Sequence, residues 1–236
     1  MIKGLQLSAR SLHSGNQHIG VVANNLANIN TSGFKREEPF SEILNAEGGI
    51  NVRQTTDFKQ GELVHTGNPL NLSIKGDGFF KIETENGTRL ARDGRFQISQ
   101  EGILMNYNGD KILGQDGGEI NFGENIFQQD QMITISKSGE IKVGKETVSV
   151  LDIVKVEDLK TLSKAGNNYF IQPDDDYTSM DSEDFEIAQG FLESSNVNPV
   201  EEMQSMIKLN KDYQSSFKIV TYLDKSLESA NRIGKV

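Results

Sequence analysis

The chain has 236 residues, a formal net charge of −10 and a hydrophobic content of 35%. It contains no cysteine, which excludes disulfides and thiolate metal sites, and its acidity disfavours a nucleic-acid-binding protein. No stretch approaches the ~18 apolar residues of a membrane span, and the N-terminus lacks the apolar region of a Sec-type signal peptide. We therefore expect no membrane insertion and, for an exported chain, another export route.

The first predicted element is an amphipathic helix over about residues 3–29. Apolar positions recur every seven residues, and a second set follows each of them by three residues, which is the spacing of a heptad seam. The first set is Leu5, Leu12, Ile19 and Leu26, and the second is Ser8, Gly15, Val22 and Ile29. Gly33 then provides a stop signal, because glycine readily adopts the left-handed conformation found after many helices.

The middle of the chain, about residues 68–186, is predicted to be β structure. Turn pairs such as Asp77-Gly78, Asn86-Gly87 and Asn108-Gly109 separate short β-prone runs, among them GFFKIE, RFQIS and MITIS. Turns this frequent, between alternating strands, are typical of an antiparallel sandwich or barrel.

The last predicted element is a long helix over about residues 200–233. Asn198 is a good N-cap, Pro199 suits the first helical position, and Glu201 has the spacing of a capping box. A heptad repeat runs along this helix as well. Its members are Met206, Tyr213, Val220 and Leu227, with Leu209, Leu223 and Ala230 beside them.

The predicted fold class is thus α+β, with the N- and C-terminal helices pairing as a coiled-coil-like layer and with a central all-β domain that is an antiparallel sandwich or barrel. Residues 1–33 and 197–236 form the discontinuous helical assembly domain, and residues 67–186 form the β domain. Residues 34–66 and 187–196 connect the two. The helices can pair parallel or antiparallel, and such a lone pair buries little apolar surface, so we expect assembly with other copies.

Three patterns resemble chemical sites without completing them. The run GEIKVGKE (139–146) fits the start of a phosphate loop, but Glu146 stands where Ser or Thr would hold magnesium. The acidic loop from Asp174 lacks the glycine and the final glutamate of a calcium loop. His13 and His18 are five residues apart, not the four that place two zinc ligands on one helix face. We expect no catalytic, cofactor or metal site.

Four stretches of the chain are specific enough to indicate a family, and they are ANNLANINTSGFKR (23–36), GNPLNLSIKGDGFFKI (67–82), RDGRFQISQEGIL (92–104) and QGFLESSNVNPVEEMQSMI (189–207). They resemble the flagellar rod and hook protein family of bacteria. The four matches follow the family order and span nearly the whole chain. The short segment between the first two, together with NVNPVEEM and the ending ANRIGKV, favours the proximal-rod type over the distal-rod type or another hook–basal-body paralogue.

The resemblance implies a structural axial protein and no enzyme. In that family the terminal helices form an inner layer, the β domain lies outside it, and subunits stack helically into a drive-shaft and export channel. The implied partners are other rod and hook–basal-body subunits and the flagellar type III export apparatus, with self-association as a further expectation. The implied location is the rod, on the periplasmic side.

We expect the assembly contacts to come from the seams, the signature and the start of the second helix. These residues are Leu5, Leu12, Ile19, Val22, Asn24, Asn25, Leu26, Asn28, Gly33, Phe34, Asn196, Asn198, Met206, Tyr213, Val220 and Leu227. Asn24 and Asn28 lie nearly opposite the first seam, on a face rich in amides. That face suits a helix enclosed by neighbouring subunits, whereas the alternative is an ordinary asparagine-rich helix end.

Two other functional classes stay open on the residues alone. A secreted surface adhesin could display a β domain on a helical stalk, but would be expected to carry a Sec signal. A glycan hydrolase needs two carboxylates, and although acidic residues are plentiful, no motif selects a pair.

Overall fold

A computed structural model describes residues 2–43, 50–123 and 132–233. The chain divides into two compact units. The helical unit comprises Met1–Ile29, Arg36–Asp57 and Val197–Val236, and the central unit comprises Asn30–Lys35 and Phe58–Asn196. Both predicted helices and the β-rich middle are present, so the coarse α+β prediction is confirmed.

The helical unit contains two helices and a β-hairpin. Helix α1 spans Ile2–Ala27, strand β1 spans Glu37–Ile43, strand β2 spans Ile50–Thr56, and helix α2 spans Pro199–Ile233. The two strands pair antiparallel, with Glu37 opposite Thr56 and Phe40 opposite Arg53. The two helices contact each other, and α1 also contacts both strands of the hairpin.

Sixteen short strands and one 3₁₀ turn (Pro173–Asp175) form the described part of the central unit. The strands are β3 (Leu63–His65), β4 (Leu72–Lys75), β5 (Phe79–Thr84), β6 (Gly87–Ala91), β7 (Phe96–Ile98), β8 (Leu104–Asn106), β9 (Lys111–Ile112), β10 (Ile133–Ile135), β11 (Glu140–Val143), β12 (Glu146–Val150), β13 (Ile153–Lys155), β14 (Ser163–Lys164), β15 (Tyr169–Ile171), β16 (Thr178–Ser179), β17 (Glu186–Gln189) and β18 (Phe191–Glu193).

All strand pairs of the central unit are antiparallel, as expected for a chain that turns this often. The largest sheet has nine strands, seven of them in the order β14-β15-β6-β5-β9-β8-β7, with β13 joining β5 to β16. A three-stranded sheet has the order β10-β11-β12, and β17-β4 and β18-β3 form separate pairs. The run that resembles a phosphate loop is the hairpin β11-β12, with Gly144 at its turn.

Two clusters of buried apolar side chains form the core of the central unit. The larger includes Leu72, Phe80 and Ile82, and the smaller includes Phe79 and Phe170. Phe79 and Phe170 meet with ring centroids 5.8 Å apart in an edge-to-face arrangement. Strand alternation therefore places neighbouring residues Phe79 and Phe80 in different clusters, on opposite faces of the sheet.

The segments expected to be simple connections contain paired strands. Strands β1 and β2 fall within residues 34–66, and so does β3, whose Leu63 lies opposite Glu193 of β18. Backbone groups that leave the solvent need partners, and these short ladders supply them. The central unit accordingly begins before residue 67 and continues past residue 186.

Candidate assembly interface

Helices α1 and α2 lie side by side and run antiparallel. An added Cβ on Gly4 would lie 3.9 Å from Leu223, and one on Gly15 would lie 3.8 Å from Tyr213. The hydroxyl oxygens of Ser11 and Ser216 are 3.5 Å apart. As the residue numbers rise along α1, the numbers of the contacting residues on α2 fall. The helices are therefore antiparallel, which is one of the two arrangements that the sequence leaves open.

The face of α2 toward α1 coincides with its heptad repeat. Together with Tyr213, its half-buried residues follow alternating spacings of three and four, and they are Met206, Leu209, Ser216, Val220, Leu223 and Leu227. Tyr213, at the same repeat position as Met206, lies beside Gly15 and is 36% exposed. This spacing is the one that packs a helix lengthwise against another helix.

The face of α1 toward α2 is not the row formed by the first predicted set, Leu5, Leu12, Ile19 and Leu26. Its contacts to α2 include Ser11, Gly15 and Asn25, and the groove between the helices is also lined by Ser14 and His18. Leu12, Ile19 and Leu26 are half-buried, and Val22 is buried. The side chain of Leu5 lies outside the described residues. Much of the α1 side of the helix pair is therefore small or polar.

Asn25 is the most buried of the asparagines in the signature, with 0% of its surface exposed. Its Nδ2 donates to the carbonyl of Glu37 at 2.8 Å, and its Oδ1 accepts from the backbone N–H of Glu37 at 3.0 Å. Nδ2 also lies 3.4 Å from the Glu202 carboxylate. One amide thus joins α1, β1 and α2, and its donor and acceptor are both used.

Glu202 continues this polar cluster. Its carboxylate is buried and accepts a hydrogen bond of 2.5 Å from Arg36 Nε, while Arg36 also pairs with Glu38. Burial lowers the pKa of Arg36, but hydrogen bonds to Glu202 and Glu38 outweigh that effect and raise it above the ordinary value. A buried carboxylate is stable only when paired in this way, so these contacts hold the start of α2.

Asn24 and Asn28 are placed differently from Asn25. Asn24 is exposed on the helix surface, and its carbonyl accepts from both the backbone N–H of Asn28 at 3.2 Å and the Asn28 Nδ2 at 2.9 Å. The side chain of Asn28 thus adds a second hydrogen bond to a carbonyl in the last turn of α1. Within the single chain, Asn28 has the geometry of a helix end.

A second buried polar cluster lies in the central unit and is centred on Lys35. Its Nζ is 2.6 Å from the Glu193 carboxylate and 2.7 Å from the carbonyl of Lys59, and 0% of Lys35 is exposed. Glu193 also accepts from the backbone N–H of Gly61 at 2.9 Å and lies 3.4 Å from Arg92. Burial lowers the pKa of Arg92, against the opposing effect of the Glu193 carboxylate.

The remaining signature residues support this second cluster. The N–H of Gly33 donates to the carbonyl of Glu193 at 2.8 Å, and Phe34 is buried with the ammonium group of Lys164 4.1 Å from its ring centroid. Asn196 Nδ2 donates to the carbonyl of Lys59 at 3.1 Å. Gly33, Phe34 and Asn196 therefore lie in the central unit, whereas the other residues expected to make assembly contacts lie in the helical unit.

Asn198 caps α2 much as its sequence context predicts. Its Oδ1 accepts from the N–H of Val200 at 3.0 Å, and its Nδ2 donates to the Glu201 carboxylate at 3.1 Å. No sequence pattern marks Lys35, Arg36, Arg92, Glu193 or Glu202 as members of a site. Lys35 and Arg36 stand in the quoted signature, but their partners lie far away in sequence and could not be paired without the structure.

A second face of α2 carries exposed apolar side chains. Val200, Met203, Ile207 and Phe217 are 61%, 56%, 57% and 56% exposed. With Asn210, Gln214 and Thr221 they continue the alternating spacing of three and four along one line, which we call the outer stripe. Four of its seven positions are apolar, and apolar side chains at this spacing are a pattern by which one helix binds another.

The described residues offer no competing chemical site. They contain no group of three or more acidic, histidine or cysteine side chains able to hold a metal ion. Among the helices that the structure describes, none is both long and apolar enough to cross a membrane. Three open surface concavities in the described parts are lined mainly by polar residues, and one of them is the groove between α1 and α2.

Comparison with protein families points to the flagellum in three parts of the chain. Residues 16–35 match the family "Flagella basal body rod protein", residues 73–143 match "Flagellar hook protein FlgE/F/G D1 domain", and residues 188–233 match "Flagellar basal body rod FlgEFG protein C-terminal". The first match covers the asparagine-rich signature up to Lys35, and the last covers Glu193, Glu202 and all of α2.

Individual proteins are similar over nearly the full chain. The flagellar basal-body rod protein FlgF of Caulobacter vibrioides is 33% identical over 233 residues, covering 93% of each chain. FlgF of Rhizobium meliloti is 27% identical over 98% of this chain and 97% of its own. FlgG of Bacillus subtilis, also a flagellar basal-body rod protein, is 29% identical over 93% of this chain and 97% of its own. With these relatives and the helix–β–helix arrangement, the chain belongs to the flagellar basal-body rod protein family, the structural components of the bacterial flagellar rod.

Proposed function

We propose that this chain is a subunit of the proximal part of the rod, which it builds by stacking helically with other rod subunits. The observation that carries the proposal is the outer stripe of α2, whose four large apolar side chains are exposed although another face of α2 already contacts α1. A single chain offers that line no partner within its described residues, and burying it would be favourable. Assembly with other subunits supplies the missing helix.

The terminal helices are proposed to form a coiled-coil-like layer within that assembly. The spacing of the half-buried residues of α2 supports such a layer, and the antiparallel contacts with α1 are compatible with it. We further propose that residues 1–33 and 197–236 act as the assembly portion and that the β strands close into a sandwich- or barrel-like domain around the buried clusters. The proposed contact residues are those expected from the sequence, extended by the outer stripe, whereas Asn25, Gly33 and Phe34 are buried within the chain and support these contacts from the inside.

The proximal rod is preferred to the distal rod because of the chain's length between the signature and the β domain. Alignment with FlgF of C. vibrioides spans 233 positions with 93% coverage of each chain, whereas alignment with FlgG of B. subtilis spans 259 positions at the same coverage of this chain. The longer alignment requires extra residues in FlgG. A short chain of the FlgF kind fits the proximal position that the sequence favours.

The proposed partners are other rod and hook–basal-body subunits, with copies of this chain among them, and the flagellar type III export apparatus. The proposed location is the rod on the periplasmic side. Neither nucleic acid nor catalysis has a part in this function. The acidity of the chain supports the first statement, and the family supports the second.

Deletion and localisation in the source bacterium test the proposal directly. Removing the gene should abolish motility and hook formation, and an epitope-tagged copy should restore both and co-purify with hook–basal bodies. Immunogold labelling should place the tag on the rod near the inner membrane. Normal motility without the gene, or label on the distal rod or hook, would contradict the proposed position.

A further inference from the structure

The pairing of α1 with α2 needs a feature that fixes its register. The repeat on α2 presents a similar apolar face every seven residues, from Met206 to Leu227. Opposite it, α1 contributes mainly small and polar residues, and a groove of about 390 Å³ remains between the helices around Ser14, Gly15 and Tyr213. Apolar interlocking therefore distinguishes poorly between the observed register and one shifted by a heptad, about 10.5 Å along the helix.

Asn25 and Glu202 break this equivalence. They occupy facing positions, Asn25 Nδ2 lies 3.4 Å from Glu202 Oε2, and both residues are fully buried. A shift of one heptad in one direction would place Leu209 opposite Asn25, and a shift in the other would move α2 beyond its own first turn. In both cases Glu202 would lose Asn25, and a buried carboxylate that loses a partner is strongly unfavourable.

The same pair is tied to the hairpin. Asn25 exchanges two hydrogen bonds with the backbone of Glu37, and Arg36, the preceding residue, binds the second oxygen of Glu202. Three separated segments thus meet at one point, and only one register of α2 against α1 allows all of these bonds. Buried polar residues are known to set register in coiled coils even where they lower stability.

We propose that Asn25, Glu202 and Arg36 form a register lock that selects one alignment of the two terminal helices. These are positioning residues, and the lock is a property of the single chain, whatever that chain assembles with. It assigns an intramolecular role to the one fully buried asparagine of the signature. The neighbouring Asn24, which is exposed, has no part in it.

Disulfide trapping can measure the register because the natural chain has no cysteine. Ser11→Cys with Ser216→Cys reports the observed register, since the two hydroxyl oxygens are 3.5 Å apart. Ser11→Cys with Leu209→Cys, or with Leu223→Cys, reports a shift of one heptad in either direction. Each pair is oxidised in dilute full-length protein, so that the bond forms within one chain, and helix content is followed by circular dichroism.

The lock is removed by Glu202→Leu, which leaves the bonds between Asn25 and Glu37 in place, and separately by Asn25→Leu. Their matched controls are Gln204→Leu and Asn24→Leu at exposed neighbouring positions. We expect each lock variant to raise the ratio of shifted to native cross-linking by about tenfold or more, with helix content retained. The controls should leave the ratio unchanged.

Two results would overturn the proposal. One is that both lock variants keep the native ratio, which would show that packing alone sets the register. The other is that they lose helix content and cross-link all pairs equally, which would show that the cluster acts on stability alone. Neither result bears on the proposed place in the rod, which the localisation experiment tests.

Discussion

At the scale of single residues, Lys35 and Arg36 are adjacent in sequence, yet their side chains end in different buried clusters. Lys35 binds Glu193 in the central unit, and Arg36 binds Glu202 in the helical unit. A run of two basic residues is usually solvated. Here each cation neutralises a carboxylate that the fold has removed from water, so both are held for a structural reason.

Replacing Lys35 by methionine should destabilise the central unit by about 3–5 kcal/mol, because Glu193 would stay buried with a weakened set of partners. The matched control is Lys75→Met. Lys75 pairs with Glu186 at 3.2 Å, but its side chain is 49% exposed, so its loss should cost at most about 1 kcal/mol. Chemical denaturation followed by the strand signal in circular dichroism measures both, and equal effects would contradict the importance of the buried pair.

Gly33 is constrained by its surroundings as well as by its backbone. It has φ of +66°, and an added Cβ would lie 2.5 Å from the backbone of Arg92 and Asp93. Gly33→Ala should therefore cost about 2–3 kcal/mol, because neither backbone segment can yield easily. Gly109→Ala is the control, since Gly109 has φ of +90° and no atom within 4 Å of the added Cβ, and it should cost about 1 kcal/mol. Equal melting temperatures for the two variants would argue against the close contact at Gly33.

Residue patterns predict some of these positions and miss others for a physical reason. The capping role of Asn198 follows from local sequence, because its partners Val200 and Glu201 are two and three residues away. Asn24 and Asn25 are the same residue type, so composition does not distinguish them. Asn25 directly precedes Leu26 of the predicted seam. Its burial depends on Glu37 and Glu202, which no local rule brings together.

At the scale of elements, the two helices differ in how well the sequence predicts their packing. The heptad repeat of α2 coincides with the face that contacts α1, because large apolar residues dominate that face. On α1 the contacts to α2 include Ser11, Gly15 and Asn25, rotated from the Leu12–Leu26 row. The hairpin β1-β2 also contacts α1, so the apolar residues of α1 pack against more than one neighbour. A seam read from one sequence assumes a single partner.

Strands β3 and β18 lie outside the predicted β domain of residues 67–186 but belong to the central unit. A fragment of residues 67–188 omits both strands and Glu193, whereas a fragment of residues 30–196 contains them together with Lys35. We expect the longer fragment to melt cooperatively and the shorter one to melt at least about 10 °C lower. Thermal denaturation followed by circular dichroism compares the two. Equal melting temperatures would show that the β3-β18 pair and its ion pair are dispensable.

At the scale of the whole molecule, charge is divided between the segments in the way that assembly by the helices would favour. None of the 34 acidic residues lies in residues 1–36, and only five lie in residues 197–236, where six basic residues balance them. The strongly acidic residues 37–196 carry the net negative charge. Helical segments from several subunits can therefore approach one another without the repulsion that an overall charge of −10 suggests.

The outer stripe gives the most direct test of how the chain assembles. Met203→Glu combined with Ile207→Glu places two charges at positions that are 56% and 57% exposed in the single chain. The free protein should lose no more than about 0.5 kcal/mol per substitution, since exposed sites tolerate charge. Against a neighbouring helix, each unpaired buried charge should cost several kcal/mol, so incorporation into the rod and motility should fail.

The control is Met132→Glu, which charges an apolar side chain that is 80% exposed in the central unit and lies off the outer stripe. It should leave incorporation unchanged. Tagged variants are compared by their amount in purified hook–basal bodies, by motility, and by the circular dichroism of the soluble chain. If the double variant folds normally and enters the rod as well as the control does, the outer stripe faces solvent in the assembly and subunit contacts lie on another face of the helix pair.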